Sequence, residues 1–236
     1  MCHGASIPEP NGGSQPAWLA APGLSAVSGL VHGFTTKAAG SFSSGPPAGW
    51  PAVAGGHRLR LLRQVHGAAV VPPEHPDPLP EADAWAGCPA PGVFLGVRTA
   101  DCVPVILCHP RTRTLAVVHA GWRGTAAGVV SAALEFLGAP RQEVVGAMGP
   151  AIGGCCYEVG LEVVRALGPG PWARRKGERW FVDLRDRVEA ELVQAGMPPG
   201  RIDRVGGCTG CREGFFSHRA RAETGRLLAF AGWGAP

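Results

Sequence analysis

Apolar positions along the chain fall into short runs, most of them too short and too β-branched to suggest helices. Runs at 29–36, 60–66, 93–99, 103–108 and 114–119 are each bounded by Gly, Pro or charge and predict strands. Further extended segments are expected at 143–148, 201–205, 215–218 and 227–233. The period turns helical in three places. Over 124–137, Val129, Val130, Ala133, Leu134 and Leu137 recur on one face, and Gly138 stands where a C-terminal cap belongs. A second helix is expected over 157–167. A third starts at Asp183, a good N-cap residue, and brings Leu184, Val188, Leu192 and Val193 together before Gly196 and Pro198 stop it.

Residues 1–28 show little periodicity and are expected to form a loosely held arm, leaving 29–236 as one domain. No internal repeat or long linker interrupts the order of elements. The pattern predicts a single α/β (α+β) domain with mixed sheet at its centre.

Composition narrows the function classes. The chain's 236 residues suffice for one substantial core. A formal net charge of +4 is too small to indicate a nucleic-acid partner. The longest apolar stretch, GVFLGVRTADCVPVILC, is cut by Arg98 and Asp101, so no membrane span is expected there. The opening MCHGASIPEPNGG has neither the basic start nor the apolar core of an export signal, which makes the cytoplasm the expected compartment. Most of the eight cysteines are accordingly expected to be reduced small hydrophobes, with one or two carrying chemistry.

Candidate chemistry concentrates in three short blocks beside predicted strands: QVHG (64–67), TADC (99–102) and HAGWRG (119–124). One thiolate and two imidazoles, Cys102, His66 and His119, would make a three-ligand zinc set with an open fourth position, as catalytic zinc requires. The ligands are 36 and 17 residues apart, so no local spacing rule groups them, and a structural role for each histidine stays open. Without a metal, Cys102 beside an imidazole could serve as a nucleophile. The turn GPAIGGCC carries Gly149, Gly153 and Gly154 and could present N–H groups to phosphate or a ribose hydroxyl; a plain tight turn explains the same glycines. Cys208 and Cys211 form a lone CxxC. A closed zinc site would need two more ligands, for which Cys155 and Cys156 are the available pair, and a structural reading is preferred. The basic run Arg174, Arg175, Lys176 and Arg179 reads as a solvated loop.

Five blocks occur in one order: QVHG, TADCVPVIL, AVVHAGWRGTAAGV, GPAIGGCCYEVG and FFSHR. Together they resemble the laccase-domain family, also called multicopper polyphenol oxidases, whose members are better described as purine nucleoside phosphorylases with adenosine deaminase activity. The resemblance implies a single-domain sandwich of mixed sheets flanked by helices, a fold shared with CNF-type toxins. It also implies that His66, Cys102 and His119 hold zinc, with copper possible in the same site, and that the substrates are purine nucleosides and phosphate. Asp101 and Gln64 would lie near the metal, with Lys37, Arg123, Arg219 and Gly149–Gly154 near phosphate and sugar. A monomer or small homo-oligomer is expected.

Two features bear on the alternatives. A multicopper cluster needs His-x-His pairs, and none of the eight histidines lies two residues from another. The segment SFSSGPPAGWPAVAGGHRLR lacks the family's Asn-Leu-Gly and Gly-Asp elements, Lys37 replaces a usual Arg, and His218 stands where Tyr is common. These departures spare the metal ligands and fall on substrate contacts. A copper-dependent phenol oxidase, a metal-free Cys102–His119 hydrolase and a non-catalytic binding module remain the competing readings.

Overall fold

The strand Val103–His109 is buried along its whole length in the computed structural model, which describes residues 16–47, 50 and 57–234. Alternation assigns its side chains to two layers. Val103, Val105 and Leu107 join a core shared with helices, while Ile106 and Cys108 join a core shared with a second sheet. The neighbouring strand Thr114–Ala120 divides in the same way, Ala116 and Val118 to the helices and Leu115 and Val117 to the sheet.

The sheet containing these strands has six members, in the order Ile202–Arg204, Val145–Met148, Val103–His109, Thr114–Ala120, Ala84–Gly87 and Val70–Val71. The second sheet has five, in the order Trp18–Leu19, Leu30–Thr35, Leu227–Trp233, Val93–Thr99 and Arg58–Arg60. Phe34, Leu95 and Ala229 from one meet Trp85, Ile106 and Ala147 from the other. Helices Val129–Phe136 and Leu184–Gln194 cover the far face of the six-stranded sheet through Val130, Leu134, Val188 and Leu192. The far face of the five-stranded sheet carries Phe42, Trp50, Phe94, Leu228 and Phe230. A helix–sheet–sheet sandwich results, as expected.

Several local expectations are corrected. The helix expected over 124–137 is two helices, Trp122–Ala126 and Val129–Phe136, broken where Gly128 takes a φ of 81°. Of 60–66 only the start is strand, as part of Arg58–Arg60, and the chain then leaves the sheet as a turn. Segment 215–218 is not extended sheet; Ser217 caps the short helix His218–Arg221 by accepting from the Ala220 N–H. The helix expected from 157 begins at Leu161, because Glu158–Val159 pairs with Arg179–Val182. The basic run read as a loop is the hairpin Ala173–Lys176 with Arg179–Val182. The arm expected over 1–28 divides: residues 1–15 lie outside the described residues, whereas Trp18–Leu19 pairs with Leu30–Thr35 and Leu24 is fully buried.

Candidate functional site

Register brings the first two donors together. In the antiparallel pair of Val103–His109 with Thr114–Ala120, Val103 faces Ala120 and Pro104 faces His119, so Cys102 emerges beside the end of the partner strand. His66 arrives from the turn at 65–67. The donor atoms of His66, Cys102 and His119 all lie within 4.8 Å of one another, and the two imidazole rings meet edge-on with centroids 4.9 Å apart. Gly121 keeps this space open: a Cβ there would stand 3.1 Å from His66, 3.2 Å from the Cys102 sulfur and 3.8 Å from His119. The turn itself is pressed against Gly124, where a Cβ would come within 2.7 Å of the Gly67 carbonyl oxygen. Two glycines of HAGWRG therefore answer to close approach at the site.

Asp83, unnoticed in the sequence, organises the cluster. Its fully buried carboxylate accepts a 2.7 Å hydrogen bond from His119 Nδ1 and further bonds from the N–H groups of Val65, His66 and Gly67. Burial opposes its ionisation, but the His119 bond and the backbone donors prevail and hold it below the usual carboxylate range. An ionised acceptor at Nδ1 fixes the donor there and leaves Nε2 for Cys102 or a metal. The available clue was an acidic residue inside the apolar run Ala82–Ala86.

The sulfur is strongly polarised. Burial raises the Cys102 thiol, yet the charge of His119 and hydrogen bonds from His119 and His66 bring it down to about 6. Burial lowers His119 in turn, but the Cys102 charge and the Asp83 bond push it up to about 9. Both shifts favour a thiolate beside an imidazolium when no metal is bound.

An open cleft of about 690 Å³ adjoins the cluster, within the usual range for small-molecule sites. Its lining includes Trp122, Tyr157 and Ile152 and is rich in arginine, including Arg98, Arg123 and Arg226. Gln64, Asp101, Arg123 and Arg219 all line it. Arg123 stacks on Trp122, its guanidinium carbon 4.2 Å from the ring centroid, and that guanidinium makes no hydrogen bond or ion pair among the described residues. Arg219 lies over Tyr157 at 5.2 Å and donates to the Glu158 carbonyl. Gln64 exchanges two 2.8 Å hydrogen bonds with the Arg98 backbone.

Asp101 sits at a φ of 91°, in the left-handed region that favours glycine. Its carboxylate accepts from Thr209 Oγ1, Ser217 Oγ and the Arg219 N–H at 2.6–2.7 Å. It fastens two loops to the cleft floor and has no direct contact with the three donors among these bonds.

Other expected contacts are placed elsewhere. Lys37 forms an ion pair with Glu223, packs over Phe216 and does not line the cleft. Gly149 packs under the Phe34 ring. The Gly153 and Gly154 N–H groups are taken by Cys208 Sγ and Asp183 Oδ2, so the turn does not offer them to an anion.

The family model described as "Multi-copper polyphenol oxidoreductase laccase" matches residues 52–234. The purine nucleoside phosphorylase of Deinococcus radiodurans is 35% identical over 242 residues, 91% of this chain and 92% of that protein. The purine nucleoside phosphorylase YlmD of Geobacillus stearothermophilus is 39% identical over 155 residues, 60% of this chain and 56% of that protein. The chain thus spans just over half of YlmD in that alignment. The YlmD crystal structure superimposes with a TM-score of 0.81 over 94% of this chain and 98% of that one, at 28% identity. Adenosine deaminase RL5, from an unknown prokaryotic organism, is 38% identical over 139 residues, 54% of this chain and 53% of that protein.

Proposed function

The chain belongs to the family described as multi-copper polyphenol oxidoreductase laccase, and from that membership and the site geometry we propose that it is a zinc-dependent purine nucleoside phosphorylase. In this reading residues 29–236 form the catalytic domain, phosphate displaces the base from the nucleoside sugar, and the products are free base and ribose 1-phosphate. Water acting at the purine amino carbon gives an adenosine deaminase side activity, in line with the name of RL5.

The observation that carries the proposal is the donor cluster opening onto a cationic, aromatic-lined cleft. The residues fit a metal: a thiolate and two imidazoles converge, Gly121 leaves the room a side chain would fill, and Asp83 orients one imidazole. His66, Cys102 and His119 would hold it, and zinc there would supply Lewis acidity at the cleft floor. Copper is chemically compatible with the same donors. Trp122 and Tyr157 offer a surface on which a purine can stack, and Arg123, whose guanidinium has no acceptor among the described residues, offers it to phosphate. Asp101 positions Arg219 and Thr209 through its hydrogen bonds and so keeps that wall in place.

Chromatography of inosine and adenosine incubated with zinc-loaded protein and phosphate tests the proposal, with Cys102→Ala alongside. Free base and ribose 1-phosphate, absent with the variant, are expected. Intact nucleosides after prolonged incubation would rule the phosphorylase reading out.

The depressed Cys102 thiol and raised His119 also suit a metal-free Cys–His hydrolase. Chelation separates the two readings: activity that survives complete metal removal belongs to the hydrolase.

A further inference from the structure

We propose that Cys155, Cys156, Cys208 and Cys211 form a second metal site, a structural tetrathiolate zinc centre distinct from the one at His66. The four sulfurs lie within 4.8 Å of one another, although 155–156 and 208–211 belong to separate loops. Cys211 Sγ is 3.3 Å from both Cys155 Sγ and Cys156 Sγ. Zinc–sulfur bonds of about 2.3 Å in a tetrahedron put sulfurs about 3.8 Å apart, so small adjustments close the site around an ion.

The surrounding backbone is arranged for this. A parallel bridge between Ala151 and Cys208 and the Thr209 N–H bond to the Ala151 carbonyl align the two loops. The adjacent cysteines sit in a tight turn in which the N–H groups of Cys156 and Tyr157 donate to the Gly153 carbonyl, and from it both sulfurs reach Cys211. That turn lets two adjacent cysteines address one point. Gly210 permits the approach, since a Cβ there would come within 2.9 Å of Cys156 Cβ.

Two features suit thiolates bound to a cation. The Gly153 N–H donates to Cys208 Sγ at 3.2 Å, the kind of outer bond that orients a ligating sulfur. Four thiolates around one divalent ion leave a double negative charge, and Arg221 stands beside the loop, donating to the Thr209 and Gly210 carbonyls. Thiolate-only donor sets select zinc over magnesium or calcium, and full protein coordination makes the site structural. The centre would also brace the catalytic cleft, because Thr209, inside the CxxC, donates to Asp101 next to Cys102. Cys155 and Cys211 are exposed, so an ion can enter from solvent.

Metal content and cobalt(II) spectra of the full-length chain, purified under reducing conditions, test the proposal independently of activity. Wild type is expected to hold two equivalents of zinc, and Cys102→Ala and Cys211→Ser one each. Cobalt(II) added to metal-stripped Cys102→Ala is expected to show the intense sulfur-to-cobalt charge transfer of a tetrathiolate site. That measurement leaves the second cluster intact and does not depend on whether Cys211→Ser folds. Absence of bound metal in reduced Cys102→Ala, or cobalt bound there without thiolate charge transfer, overturns the proposal. So does a thiol count in unreduced, metal-free protein that shows these four sulfurs paired as disulfides that reduction does not convert into a metal site.

Discussion

Asp83 and His119 are joined by a 2.7 Å hydrogen bond from Nδ1 to a carboxylate that is itself fully buried. The same carboxylate takes the N–H groups of the turn bearing His66, so one side chain orients two of the three candidate ligands. Asp83→Asn keeps the shape but weakens the acceptor and admits the wrong histidine tautomer. Zinc affinity, measured by competition with a chromophoric chelator, is expected to fall roughly 10–100-fold, the range seen when such outer partners are lost. Unchanged affinity would deny Asp83 its orienting role.

Gly121→Ala places a methyl group 3.1 Å from His66 and 3.2 Å from the Cys102 sulfur. The backbone at Gly121 has a φ of −77°, which alanine adopts freely, so circular dichroism and thermal stability should change little. Metal content should drop. Full zinc occupancy in this variant would show that the donors do not converge on one ion.

Metal-free protein should carry a reactive Cys102. With its thiol at about 6, alkylation by iodoacetamide is expected to rise through that pH and level off above it, where the thiolate predominates. Cys108, pushed up to about 12 by burial, should stay unmodified over the same range. His119→Ala removes the principal stabilising charge and moves the Cys102 midpoint upward. Zinc should protect Cys102 in the wild type.

Lys37 and Arg123 should separate kinetically. Arg123 lines the cleft without a hydrogen-bonding or ion-pair partner among the described residues, whereas Lys37 is engaged by Glu223 outside it. Arg123→Ala is expected to raise the phosphate KM about tenfold or more, the scale of one lost charge-assisted contact. Lys37→Ala should leave that KM within about twofold, an expectation that follows from Lys37's absence from the cleft. Equal effects would contradict the assignment.

Glu223 joins Lys37 to the Ser217 N–H and Arg221. Burial raises it, but Lys37, the Ser217 N–H and Arg221 together outweigh burial and hold it down at about 2, against an ordinary value of 4.5. Its contribution to stability is therefore complete above about pH 4.5 and lost as the pH falls toward 2. Denaturant melts across that window should show a steeper decline in wild type than in Glu223→Gln.

Much of the architecture was legible from local pattern. The runs at 93–99, 103–108, 114–119 and 227–233 became strands because alternation and β-branching act over a few neighbours. Asp183 caps its helix as expected, accepting from the Arg185 and Asp186 N–H groups. The ordered motifs likewise named His66, Cys102 and His119 as candidates.

Convergence of those residues depended on tertiary structure, because a span of 36 residues between His66 and Cys102 imposes no distance. Antiparallel register set Cys102 beside His119, and capture of the 65–67 turn by Asp83 brought in His66. Lys37 is paired with Glu223, 186 residues along the chain, and does not line the cleft. Four cysteines from two loops met at one point for the same reason. Local composition determines which groups are present and which strands they flank; strand pairing and loop closure act between distant residues and decide which groups meet.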